Sequence, residues 1–272
     1  MKDRSRRRQR GLVRGGVYIV DLDRTIVGDS ATLLVKQGVA TLAQRLGILT
    51  DGAAAIRPWS VDTVSALIRP HFVDFMAAAA RDQAHVFIYT HGTAEYADFM
   101  VRAIEEVIGR KFERPIFSRD RSSAPGGGKS LAMVAQAIER TLGGKHHHDE
   151  PHHASAPLAD RIVTIVDDDD TVWAHVDRVR HMFVRCPAYA YVSFVDPFDG
   201  FPPAVLRHPD VARYAVENGL YNPAGGPAER YRWCEARLRD VERDNTWLRR
   251  DVFWLNFLAT PPRPRASPVS RG

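Results

Sequence analysis

G-V-Y-I-V-D-L-D-R-T-I-V-G-D, residues 16–29, decides how the rest of the chain is read. Val17, Tyr18, Ile19 and Val20 are β-branched or aromatic, the composition of a strand covered on both faces in a parallel sheet. Asp21 and Asp23 follow at once, and then Thr25. In open α/β sheets ligands bind beyond the carboxyl ends of the strands, so both carboxylates belong on the rim where chemistry is done.

Working outward, the pattern alternates between helix and strand. Residues 30–46 place Leu33, Leu34, Val35, Val39, Leu42, Ala43 and Leu46 near a helical period, with Ser30 as N-cap and Gly47 as stop. Ser60 caps a second predicted helix at 61–68, and Pro70 opens a third whose Phe72, Phe75 and Met76 form an apolar stripe. A strand is expected at 85–89, followed by the turn Thr90-His91-Gly92-Thr93 and a helix over 94–108. Further strands are expected at 114–118, 162–166 and 189–194, with a helix over 130–142. Strands alternating with helices predict an α/β fold, a Rossmann-like parallel sheet with helices on both faces.

The 272 residues, 44% of them hydrophobic, suffice for one substantial core with appendages. The expected organisation is a basic disordered tail (1–14), one catalytic domain with little or no cap (15–200), a helical extension (201–259) and a disordered end (260–272). The formal charge of +5 sits in the first tail: residues 1–14 hold seven Lys or Arg against Asp3, a net +6, which leaves the other 258 residues near neutral. Such a tail reads as a nuclear-targeting signal, a contact to nucleic-acid phosphates or a solubilising terminus. No run of 18 apolar residues and no secretory signal is found, so no membrane association is expected. Cys186 and Cys234 alone imply no disulfide framework and fit a reducing compartment, nuclear or cytoplasmic.

Residues 143–156, G-G-K-H-H-H-D-E-P-H-H-A-S-A, have no apolar face and read as a surface insertion. Its five histidines suit adventitious metal binding better than a preorganised site. From Pro227, the residues Tyr231, Cys234, Leu238, Val241, Asn245, Leu248, Val252 and Leu255 recur at heptad spacing. The lone Asn245 in that seam allows a homodimeric coiled coil. Trp247, Trp254 and Phe257 widen the apolar face beyond coiled-coil need and favour packing on the chain's own domain.

Predicted strand ends carry Asp21 and Asp23, Thr90, and Asp167 and Asp168, and Lys129 opens a helix. This is the equipment of phosphoryl transfer. A carboxylate can attack phosphorus to give an aspartyl-phosphate, and a neighbouring carboxyl can protonate the leaving oxygen and then activate water. Carboxylates repel a phosphate dianion, so a hard divalent cation is needed between them. Mg2+ is the natural choice, with Asp168 completing its shell.

D-L-D-R-T-I-V-G-D-S resembles the D-L-D-x-T-L-V-x-S opening of one known family, and I-R-P-H-F-V-D-F-M resembles its R-P-G-x-x-x-F-L segment. F-I-Y-T-H-G-T-A-E-Y-A-D, G-G-G-K-S-L, I-V-D-D-D-D-T-V-W and R-C-P-A-Y-A-Y are similar to its later motifs, in the family's order. The family is the haloacid dehalogenase superfamily, in its group of RNA polymerase II C-terminal-domain and NLI-interacting-factor-like phosphatases; the resemblance spans roughly residues 15–194. It implies Asp21 as nucleophile, Asp23 as general acid/base, Thr90 as a hydroxyl donor to phosphate and Lys129 as the neutralising cation. It further implies Mg2+ on Asp21, Asp168 and the Asp23 carbonyl, Asp167 orienting Lys129 or a metal-bound water, and Thr25, His91 and Gly92 lining the substrate side. The implied substrate is phosphoserine or phosphothreonine of a protein. Asp169 and His91 depart from the family's usual Arg and small residue.

Other readings compete. S-A-P-G-G-G-K-S approaches a Walker loop but has Ser123 in place of the first glycine and follows a weak strand. A phosphatase of nucleic-acid ends would use the basic tail, and a catalytically weak scaffold of the same fold would use the tail and the C-terminal helix.

Overall fold

The computed structural model describes residues 12–28, 31–49, 61–122, 127–144, 158, 161–191, 196–245 and 248–260. Most of the basic tail, the caps Ser30 and Ser60, Ser123, Trp247, the histidine-rich residues 145–157 and the end of the chain lie outside the described residues.

Four parallel strands form one sheet in the order β2-β1-β3-β4: β1 (Val17–Val20), β2 (His85–Ile88), β3 (Val163–Asp167) and β4 (Met182–Arg185). Ile19 lies between Phe87 and Ile165, and the pairing with β4 sets Ile165 beside Phe183. The chain leaves β1 toward β2 on one side and reaches β3 on the other, so the carboxyl end of β1 opens into the crevice of an open α/β sheet.

Side chains of β1 alternate between two cores, as a period of two requires. Val17 and Ile19 face α6 (Leu131–Gly144), where Leu131, Val134, Ile138 and Leu142 close over Phe87, Val163 and Ile165. Tyr18 points the other way, onto Phe75 of α3 (Phe72–Arg81) and Phe257 of α11 (Phe253–Ala259). Trp254 packs at 4.5 Å from the Phe75 ring. Helices therefore cover both faces.

The remaining helices are α1 (Ala31–Arg45), α2 (Val61–Leu67), α4 (Ala94–Ile108), α5 (Arg119–Ser122), α7 (His175–Arg180), α8 (Pro203–Leu206), α9 (Pro209–Glu217) and α10 (Pro227–Asn245). Two compact units emerge. The first comprises Met1–Ile26, Arg69–Tyr189 and Asp251–Gly272 and contains the sheet; the second comprises Val27–Ile68 and Ala190–Arg250. The second has its own core, in which Val39 and Ala43 of α1 meet Phe198, Phe201, Val205, Val211 and Ala215. Residues 201–250, expected as an extension, thus group with 27–68, and α11 belongs with the sheet.

Three expected elements differ. The strand expected at 114–118 is reduced to one bridge, Phe117 with Tyr89. Glu113 and Phe117 donate to the carbonyls of Val86 and Ile88, but Pro115 between them has no N–H to continue the ladder. The strand expected at 189–194 is absent from its described part, residues 189–191. The fourth strand lies earlier, at the half-buried edge M-F-V-R, where period and hydrophobicity signal little. The long heptad helix ends at Asn245, and α11 starts afresh after Asp251 accepts the N–H of Phe253 at 2.8 Å. The seam residues Tyr231, Leu238, Val252 and Leu255 are exposed and do not share one helix.

Candidate active site

Asp21 is the first residue beyond β1 and is buried; its N–H still donates to Val166 of β3. Directly afterwards the backbone curls, with Ile26 N–H bonded to Leu22 carbonyl and Arg24 in the left-handed region at φ 58°. The curl lets Asp21 and Asp23 serve one site although a continued strand would carry them onward.

Lys129 is 2% exposed. Its Nζ donates to Asp21 Oδ1 at 2.5 Å and to Asp167 Oδ2 at 2.7 Å, so one cation ties the ends of β1 and β3. Its backbone is fixed as well: Lys129 N–H donates to Val172 and its carbonyl accepts from Ala174. Gly128 permits this approach, because a Cβ there would lie 3.0 Å from the Val172 oxygen. Asp167 accepts from three donors, since Trp173 Nε1 reaches Oδ2 at 2.7 Å and Asp169 N–H reaches Oδ1 at 2.9 Å beside the Lys129 bond. Its bond to Lys129 Nζ holds that side chain against the end of β3.

Asp23 is held from a different side. Thr90, just past β2, donates from Oγ1 to Asp23 Oδ2 at 3.3 Å, and the Tyr96 hydroxyl donates to Asp23 Oδ1. Gly92 N–H donates to Thr90 Oγ1 at 3.0 Å, so this hydroxyl accepts on one side and gives its one proton to Asp23 on the other. His91 is exposed and donates from Nε2 to the Gly127 carbonyl. Thr25 is fully buried with its hydroxyl 3.4 Å from Cys186 Sγ.

Charge in the site is unbalanced. Burial pushes the Asp21 carboxyl well above the usual carboxylate range; Lys129 opposes this, and the charges of Asp167 and Asp23 add to it. Burial alone would lower Lys129, but Asp21 and Asp167 outweigh it and hold the amine above its ordinary value. Asp23 is raised by burial against the bonds from Tyr96 and Thr90. Asp168, half-buried, is raised by burial and then by Asp167.

Oxygens of Asp21, Asp167 and Asp168 lie within 4.8 Å of one another. Three carboxylates around one lysine form an all-oxygen donor set with surplus negative charge, which fits a hard divalent cation such as Mg2+. The Asp23 carboxylate stands outside this trio and faces Thr90 and Tyr96, in keeping with an expected contribution from its backbone carbonyl alone.

The structure brings Asp21, Lys129, Asp167 and Asp168 together, with Asp23 and Thr90 paired beside them. A scan against protein-family models finds no match, and a search of curated proteins finds none. Among solved structures, the chain is similar to Fcp1, an essential RNA polymerase II CTD phosphatase, at 17% identity and TM-score 0.35, over 92% of this chain and 55% of that one. It is also similar to fission yeast RNA polymerase II CTD phosphatase Fcp1 in a variant bound to beryllium fluoride, at 18% identity and TM-score 0.33, over 87% of this chain and 64% of that one. The chain thus spans less than two thirds of either.

Sequence reasoning left Tyr96, Trp173 and Cys186 without roles. Tyr96 lies in the first turn of α4, three residues after its N-cap Thr93, and a helix start that follows a functional strand end faces the same rim. Trp173 was signalled by its indole N–H, which needs a partner when buried.

Proposed function

We propose that the chain is a Mg2+-dependent phosphoric monoester hydrolase that works through an aspartyl-phosphate on Asp21, with phosphoserine or phosphothreonine of a protein as substrate. What carries the reading is the single bridge of Lys129 between Asp21 and Asp167, beside a second carboxyl, Asp23, held separately by Thr90 and Tyr96. Two carboxyls in unlike surroundings suit two roles. An oxygen of Asp21 forms the bond to phosphorus while the ester P–O bond breaks, and its electron pair leaves with the departing oxygen, which takes a proton from Asp23. Asp23 then removes a proton from water, the hydroxide oxygen bonds to phosphorus, and the Asp21–phosphorus bond breaks to restore the carboxylate. Lys129 lies against the nucleophile and balances charge, and Thr90 offers its hydroxyl to the phosphoryl oxygens. Held by Asp21 and Asp168, with Asp167 beside them, Mg2+ would neutralise the phosphate and the carboxylates that face it.

The experiment is p-nitrophenyl phosphate hydrolysis by purified protein with Mg2+, with EDTA, and with Asp21→Asn. Release that needs Mg2+ and is lost in Asp21→Asn is expected; release equal in the variant sinks the proposal. A phosphoserine peptide set against a 3′-phosphorylated oligonucleotide separates the protein substrate from the nucleic-acid alternative. The basic residues 1–14 support nuclear residence, which a fluorescent fusion with and without them tests. Exposed Tyr231 and Leu238 on α10 keep homodimerisation as a proposal, for which sedimentation velocity is the measurement.

A further inference from the structure

We infer that Tyr96 is a positioning residue that selects which oxygen of Asp23 transfers the proton, a role that rests on the phosphatase reading above. The two Asp23 oxygens meet different donors. Oδ1 accepts from the Tyr96 phenol, and Oδ2 accepts from Thr90 Oγ1 at 3.3 Å. Thr90 is the residue assigned to the phosphate, so Oδ2 is the oxygen beside the reacting group. Tyr96 pins Oδ1 and so fixes the plane of the carboxyl.

The phenol is delivered rigidly. Tyr96 N–H donates to the N-cap hydroxyl of Thr93 at 3.4 Å, and Ala94 N–H donates to Asp120 Oδ1 at 2.8 Å, so the first turn of α4 is tied at two points. Gly92 makes the room. A Cβ at that position would lie 2.4 Å from Tyr96 Cδ1 and 2.9 Å from Cε1, distances at which the ring must move. Gly92 is absent from the glycines with positive φ, so the lack of a side chain serves the tyrosine ring rather than a left-handed turn. This gives Gly92, expected to line the substrate side, an indirect part in the same arrangement.

In the first half-reaction the proton sits on Asp23 Oδ2 and passes to the ester oxygen as the P–O bond breaks and its electron pair moves to that oxygen. Oδ1 keeps its bond from Tyr96 throughout. Without the phenol the carboxyl can rotate about its Cβ–Cγ bond, and the donor is misaligned only for reactions that need the proton.

The test compares kcat/KM of wild type, Tyr96→Phe, Gly92→Ala and Asp23→Asn, all with Mg2+, on phenyl phosphate and on 2,4-dinitrophenyl phosphate. The first releases a basic phenolate that needs a proton; the second releases a stable anion that does not. Tyr96→Phe is expected to lose about 10–100-fold on phenyl phosphate and less than about 3-fold on the dinitrophenyl ester, as misplacement of an acid should. Gly92→Ala, which displaces the ring by another route, should show the same selective loss. Equal losses on both esters, or no loss while Asp23→Asn is selectively impaired, would overturn the role of Tyr96 alone. Failure of the wild type to hydrolyse either ester would overturn the phosphatase reading and this inference with it.

Discussion

Replacing Lys129 by Met removes the one cation between two buried carboxylates while keeping most of the side-chain volume. Lys129 Nζ lies 2.5 Å from Asp21 Oδ1 and 2.7 Å from Asp167 Oδ2, so each attraction has a gross size of ~6 kcal/mol at an effective dielectric of ~20. Most of that is offset by desolvation of the ammonium, and breaking such a buried pair costs about 3–5 kcal/mol net. The loss has a ceiling, because a carboxyl left without its partner can take a proton. Protonating a carboxyl with an ordinary pKa of ~3.9 costs ~4 kcal/mol at pH 7 but only ~1.5 kcal/mol at pH 5. In the variant Asp21, already raised by burial in the wild type, loses the opposing lysine and rises further, so the folded variant binds more protons than the folded wild type between about pH 5 and 7. Linkage then makes its stability fall relative to wild type as pH rises through that window. Urea denaturation in EDTA, followed by circular dichroism, should show a deficit of about 3–5 kcal/mol near pH 7 that shrinks by roughly 2–3 kcal/mol near pH 5. A deficit under about 1 kcal/mol, or one indifferent to pH, would refute the argument that Lys129 compensates the pair.

Asp251→Ala should cost about 3–5 kcal/mol at both pH 7 and pH 5: Arg69 is fully buried against Asp251 in a two-pronged pair, and a guanidinium cannot shed its charge; denaturation at those two pH values reads the contrast with Lys129→Met. Trp173→Phe keeps a ring in place but removes the 2.7 Å bond from Nε1 to Asp167. A loss of about 1.5–3 kcal/mol is expected in the same assay. Burial pushes the Cys186 thiol up to about 11, against the opposing bond to Thr25. Cys186 should therefore resist alkylation near neutral pH until the protein is unfolded, which mass spectrometry of labelled peptides can follow; rapid labelling of the native state would contradict it.

How much of this was legible depends on where the physical signal is local. The composition of β1 and the two carboxylates after it are read directly, because a strand covered on both faces has few residues to choose from. α4 was legible to the residue, since Thr93 caps it and Gly109 ends it in a left-handed turn. β4 was not, because an edge strand of three half-buried residues and an exposed Arg185 has too short an apolar run and no alternation. The break after Asn245 was hidden by a seam that kept its heptad spacing through a 3-10 turn at Leu248–Arg250. Only tertiary packing distinguishes the pieces: Leu248 is buried within the second unit, whereas Trp254 and Phe257 fill the space beside Phe72 and Phe75 in the first. The carboxylates and Lys129 were singled out because the carboxylates stand at predicted strand ends and the lysine at the start of a predicted helix. Tyr96 was not assigned, because which oxygen it touches is a matter of geometry that no spacing encodes.

The position of α11 has a consequence for how the protein is made. Val17–Val20 is synthesised well before Phe253–Ala259, the helix that covers Tyr18 and Phe75. Domains ordinarily fold in the order of their synthesis. Here β1 must wait for α11, with Phe72, Phe75 and Tyr18 left uncovered on that face until α11 is made. A chain shortened to the sequence-expected boundary near residue 200 would stay in that state permanently, and exposed aromatic surface of this kind leads nascent chains to chaperones or to aggregates.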